Sequence, residues 1–130
     1  MASRFTELAI DCADPRALAR FWCSVLDYEV RDAEDGLVTI GSPASPGDAD
    51  RTGPVAPVLT FARVPEGKTV KNRIHLDVSP ADRDQDDEVR RLLDLGACHA
   101  DVGQTGDESW HVLADPEGNE FCLLRRRVPA

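Results

Sequence analysis

Arg73-Ile74-His75-Leu76-Asp77-Val78 starts the chain over. Ile74, Leu76 and Val78 alternate with Arg73, His75 and Asp77, the period of a half-buried strand. Ser79-Pro80 then opens a predicted helix whose acids, Asp82, Asp84, Asp86, Asp87 and Glu88, crowd the N-terminal end that the helix dipole favours for them. Val89, Leu92 and Leu93 make its apolar face and Gly96 suits its C-cap. Three more strands are predicted over 97–102, 109–114 and 119–125. Asp115-Pro116-Glu117-Gly118-Asn119 turns the last pair, with proline set for the bend and glycine free to take positive φ.

Working back towards the N-terminus, the same order is already present once. Leu8, Ile10 and Cys12 alternate with Glu7, Ala9 and Asp11 in a strand over 5–12. Asp14-Pro15 supplies a cap and a first-turn proline. Leu18, Phe21, Trp22, Val25 and Leu26 fall on one helix face and belong to the core. Short strands follow over 28–31 and 37–40, then an exposed Ser/Pro/Gly/Asp loop over 41–54, then a strand over 55–63. The result is an α+β chain of two tandem βαβββ modules, about 4–63 and 73–126, joined by a linker over about 64–72 within one domain spanning 1–130. The expected architecture is a curved mixed sheet around a cleft with the helices outside. By alternation Leu8, Ile10, Ile74, Leu76 and Val78 face the helices. Glu7, Asp11, Arg73, His75 and Asp77 face the cleft.

Composition narrows the function classes. A chain of 130 residues with 42% hydrophobic and 30% charged residues is an ordinary globular mixture. The net charge of −9 argues against nucleic acid and against anionic membrane surfaces. No apolar run approaches the roughly 20 residues of a membrane span, and Met1-Ala2-Ser3-Arg4 opens no secretory segment, so a cytoplasmic protein is expected. Cys12, Cys23, Cys98 and Cys122 form no CxxC pair, and reduced thiols are expected.

The strand with Asp11-Cys12-Ala13-Asp14-Pro15 and Phe21-Trp22, the Lys71-Asn72-Arg73-Ile74-His75-Leu76-Asp77 strand and the Asp115-Pro116-Glu117-Gly118-Asn119-Glu120-Phe121 hairpin together resemble the vicinal oxygen chelate superfamily, and more closely its small glyoxalase-like proteins. The resemblance covers nearly the whole chain. It implies the fold firmly and the chemistry hardly at all, since the superfamily spans glyoxalase I, dioxygenases, epimerases, fosfomycin-resistance enzymes and bleomycin-binding proteins. Metal-dependent members take one ligand from the first and one from the last strand of each half. The resemblance places Glu7 and His75 at the two first-strand positions, Thr60 or Ala62 at one last-strand position and Cys122 at the other, where an acid is usual. This is a poor set for a hard divalent cation, so no metal and no other cofactor is expected. The resemblance also implies a homodimer, which would cover short strand edges.

The ligand-binding candidates are Glu7, Asp11, Thr60, His75, Asp77, Trp110 and Cys122. His75 is the best catalytic candidate because imidazole is the side chain suited to moving protons near neutral pH; the plainer alternative is a histidine held by Asp77 or Glu7. Glu7 and Asp11 either poise a general base or solvate an open sheet face. Cys122 reads more readily as a small buried hydrophobe than as a nucleophile. Trp110 either stacks on a flat ligand or, more commonly for such a residue, packs in the sheet. Lys68, Lys71 and Arg73 either draw an anionic ligand or form a solvated linker, which Asn72 ties down through its amide. Arg125, Arg126 and Arg127 read as a frayed strand end, and His99 and His111 earn no role. The expected function is small-molecule binding by a glyoxalase-like protein with a degenerate metal site, the ligand held in the cleft between the two modules. The alternatives are a lyase or isomerase using His75 with Glu7 or Asp77, and an accessory module with a vestigial cleft.

Overall fold

The computed structural model describes residues 2–44 and 56–129, in two compact units, Met1–Gly67 and Lys68–Ala130. Most of the loop expected over 41–54 lies outside the described residues. Each unit carries one helix and one four-stranded mixed sheet, the βαβββ order that the repeat predicts.

In the first unit β1 (Glu7–Cys12) leads into α1 (Pro15–Leu26), followed by β2 (Glu29–Glu34), β3 (Leu37–Gly41) and β4 (Val58–Arg63). The sheet order is β1-β4-β3-β2, with β1 parallel to β4 and the other pairs antiparallel. Asp14 caps α1 by accepting from the Ala17 N–H at 3.1 Å, and Pro15 occupies the first turn, where its missing N–H costs nothing. Asp27 ends the helix in the left-handed conformation at φ 54°. The register sets the core: Ile10 opposes Phe61, which opposes Val38, and Leu8 opposes Leu59, which opposes Ile40. Leu18, Phe21 and Trp22 of the helix are buried with them, the two rings edge-to-face at 5.3 Å.

In the second unit the order is β5 (Asp77–Val78), α2 (Gln85–Leu95), β6 (Cys98–His99), β7 (His111–Ala114) and β8 (Glu120–Leu123), with sheet order β5-β8-β7-β6. The Asp115–Asn119 turn is self-contained. The buried Asp115 carboxylate accepts from the backbone N–H of Glu117 and Asn119 and from the Asn119 side-chain amide, while Gly118 takes φ 85°.

Three expectations fail here for local reasons. The strand predicted over 73–78 is reduced to Asp77–Val78, and Ile74 is 78% exposed rather than facing the helix. The β5–β8 register would bring His75 opposite Glu120, but the Glu120 carboxylate takes the Asn72 N–H at 3.0 Å and Lys68 Nζ at 2.7 Å instead. Alternation alone did not supply a ladder partner. The helix begins at Gln85, not at Ser79-Pro80, because Asp84 is the cap, accepting from the Asp87 N–H at 2.9 Å. The Pro80 carbonyl is engaged by the Val128 N–H at 2.8 Å, which holds the preceding stretch off the helix. Finally, the strands predicted over 97–102 and 109–114 shorten because the loop between them bonds to itself. Gln104 bridges Ala100 and Val102, and Glu108 accepts from the N–H groups of Thr105 and Gly106. Among the described residues no helix is long and apolar enough to cross a membrane.

Candidate functional site

The second unit contains a pocket of about 300 Å³, within the size range of small-ligand sites. Its floor follows from the register. Asp77 opposes Cys122, which opposes Val112, so these three side chains share one sheet face. Glu120 and Leu124, two residues either side of Cys122, also line the pocket, as do Trp110 from the strand approach and Lys71 from the preceding segment.

His75 reaches this face from outside the strand. Its Nδ1 lies 2.9 Å from Asp77 Oδ1, so against an ionised carboxylate Nδ1 carries the proton and Nε2 is left as the acceptor. Both side chains are half-exposed. Cys122 is buried beside them, and one ligand atom from each of His75, Asp77 and Cys122 falls within 4.8 Å of the others. Burial, then the negative charge of Asp77 and the hydrogen bond Asp77 accepts, push the Cys122 thiol above its ordinary range. The thiol is therefore protonated near neutral pH and poorly prepared to act as a nucleophile. All four cysteines are free.

The Lys68–Glu120 pair borders the pocket. Burial alone would raise the Glu120 carboxyl, but the Lys68 ammonium and the Asn72 N–H hold it down to about 2. Lys68 is thereby committed to a structural bond. Lys71 donates to the Asn72 carbonyl at 3.0 Å while its exposed side chain borders the pocket. The linker is tied chiefly through the backbone of Asn72, with its side-chain amide 3.5 Å from Asn119 Oδ1.

The remaining candidates lie in the first unit, on the sheet face away from α1. Glu7 accepts the Thr60 hydroxyl, and Thr60 and Thr39 hydroxyls are 3.0 Å apart, a polar ladder across three strands. Asp11 stands exposed on the same face, opposite Ala62. Of the residues that the resemblance links to metal, Ala62 offers no donor atom, its alternative Thr60 is bonded to Glu7, and Cys122 keeps its proton. His75 is bonded to Asp77.

Sequence reasoning reached His75, Asp77, Trp110 and Cys122 of this pocket. Trp110 is 44% exposed and lines it, which corrects the expectation of packing in the sheet. Val112 and Glu120 were reachable by parity from Cys122, whereas Val102, the end of a predicted strand, lines the pocket from a loop.

The model of the glyoxalase-like domain family matches residues 7–124. The chain belongs to this family. A comparison with curated proteins returns no match. Among solved structures, the fold is similar to that of a mutant of the fosfomycin resistance protein FosX from Listeria monocytogenes, complexed with Mn(II) and a dihydroxypropylphosphonic acid. It has TM-score 0.68 and 11% identity, covering 95% of this chain and 90% of that one. A structure described as a possible glyoxalase from Bacillus cereus gives TM-score 0.62 at 15% identity, covering 95% and 99%. The oxidase ChaP-H2 gives TM-score 0.59 at 16% identity, covering 99% and 98%. At these identities the likeness concerns the glyoxalase-like, vicinal oxygen chelate fold.

Proposed function

We propose that this glyoxalase-like protein binds a small molecule in the pocket of its second unit and that its family metal set is degenerate. The carrying observation is the open, largely apolar pocket with a half-exposed Trp110 and, at its polar end, His75, Asp77 and Lys71. Its volume is about that of ten water molecules, room for a compact ligand with one flat apolar part. Trp110 offers that part a stacking face, and Lys71 offers an anionic group a partner. The set Glu7, Thr60 or Ala62, His75 and Cys122 does not fit a hard divalent cation. One position offers at most a hydroxyl already bonded to Glu7, and another is a protonated thiol.

The test is a panel of small aromatic and oxygen-rich compounds, with and without a carboxylate, read by thermal melting and by assays of turnover. Binding predicts ligand-dependent melting that weakens in Trp110→Ala, without turnover. A panel that leaves both melting and the Trp110 fluorescence unmoved would count against the reading.

A second reading is supported by the His75–Asp77 bond. With Nδ1–H held by Asp77, His75 Nε2 can accept a proton from an oxygen-rich substrate, as a lyase or isomerase requires. Turnover lost in His75→Ala and strongly reduced in Asp77→Asn would favour it. Glu7, bonded to Thr60 in the first unit, is the weaker partner for this role. The open pocket also speaks for a binding role over an accessory module with a vestigial cleft.

A further inference from the structure

We propose that Gln85, in α2 and outside the pocket lining, is the positioning residue that holds Trp110 in place at the pocket. Its effect on binding rests on the small-molecule reading; the placement of Trp110 does not.

Gln85 opens α2, and Glu88, Val89 and Leu92, at i+3, i+4 and i+7, are buried. Periodicity therefore puts position 85 on the inward face of the helix, where an apolar side chain is usual. What glutamine adds there is its amide. Nε2 donates to the Ser109 carbonyl at 2.8 Å and to the Leu123 carbonyl at 3.2 Å. An amide nitrogen has two hydrogens, and both are spent on backbone carbonyls.

Those carbonyls adjoin the apolar wall of the pocket. Ser109 precedes Trp110, while Leu123 lies between Cys122 and Leu124, and Trp110, Cys122 and Leu124 all line the pocket. The β7–β8 ladder ends with His111 opposite Leu123, so Trp110 stands one residue beyond it, 44% exposed. The loop that delivers Trp110 is bonded to itself through Gln104 and Glu108. Gln85 joins the end of that loop to β8 and to a helix capped by Asp84. Trp110 and Val112, two residues apart, share the pocket side of the strand. A bond to the carbonyl just before the ring thus fixes where the ring stands without touching a ligand.

The experiment uses the full chain, with 2-naphthoate, a flat aromatic anion, as the probe. Gln85→Leu removes both donors at a position suited to an apolar side chain. Gln85→Glu keeps the length, faces two acceptors with a third, and leaves an acid where the helix dipole favours one. In the chain without probe, both variants should raise acrylamide quenching of Trp110; Trp22, 1% exposed, is shielded. Binding of 2-naphthoate should weaken about two- to tenfold in each, the range that one aromatic stacking contact is worth. In a Trp110→Ala background Gln85→Leu should weaken it no further, because no ring is left to place. Asp86→Asn, on the same helical turn, should change neither quenching nor binding. If Gln85→Leu fails to fold, Gln85→Glu supplies the same comparisons. Unchanged quenching in the Gln85 variants, or an equal loss of binding with and without Trp110, would overturn the proposal. A parent chain that ignores 2-naphthoate would count against the small-molecule reading alone, and quenching would still uphold or overturn the role of Gln85.

Discussion

Replacing Glu120 with Gln should remove a pH-dependent part of the stability of the second unit. In the folded chain the carboxyl titrates at about 2, against 4.5 for a free glutamate, because Lys68 Nζ at 2.7 Å and the Asn72 N–H at 3.0 Å favour its charged form. A carboxyl depressed by folding stabilises above its unfolded pKa, and the gain is lost as pH falls through the folded value. The window here runs from about 4.5 down to about 2. The full shift would set an upper bound of roughly 3 kcal/mol; with the pair still touching solvent, about 1–2 kcal/mol is the expected net effect. The Lys68 and Glu120 side chains are 22% and 14% exposed, which is why neither the bound nor zero is appropriate. Urea unfolding of the parent and Glu120→Gln at pH 7, 5 and 3 measures it. The difference should be nearly constant from pH 7 to about 5, roughly halved by about pH 3, and lost only as pH falls to about 2 and below. Lys68→Met should show the same profile and add little to Glu120→Gln in the double variant. A difference that stays constant down to pH 3 would refute the reasoning, since a merely steric loss does not titrate.

Trp22→Ala should cost about 3–5 kcal/mol, since the ring is 1% exposed and packs edge-to-face on Phe21. Trp110→Ala should cost less than half as much, and equal melting losses would contradict the division between core and pocket. Thiol labelling of the native chain should modify the exposed Cys98 long before Cys122, whose burial and neighbouring Asp77 keep it protonated; simultaneous labelling would defeat that. Cys122→Glu should raise manganese affinity measurably, and His75→Ala in that background should abolish the gain. Sedimentation at tens of micromolar should give twice the chain mass of 14.2 kDa, and a monomer there would reject the homodimer.

The duplicated element order was legible because each half repeats a cap, an apolar helix face and alternating strands. Asp14-Pro15 and the Leu18/Phe21/Trp22 stripe determine α1 locally. Where alternation met competing side-chain bonds it misled. Ile74 looks like a strand residue, yet it stays exposed, and the Glu120 carboxylate bonds Lys68 and the Asn72 N–H of the preceding segment. The helix start moved from Pro80 to Asp84 because a capping carboxylate outcompetes a proline signal four residues earlier. Cleft-side parity brought His75, Asp77 and Cys122 to one place, but that Asp77 would bond His75 and raise the Cys122 thiol depends on distances, which no spacing rule contains.

The brevity of β5 has a consequence for amide exchange with solvent. Asp77 and Val78 form the ladder with β8, and the Cys122 and Leu124 amides donate to the Leu76 and Val78 carbonyls. Those two protons are shielded by a stretch only a few residues long, so separating it exposes them without unfolding the unit. Their deuterium uptake thus reports on the pocket wall itself. An occupant gripping His75 and Asp77 would slow it, while the Phe121 side of the core would exchange as before.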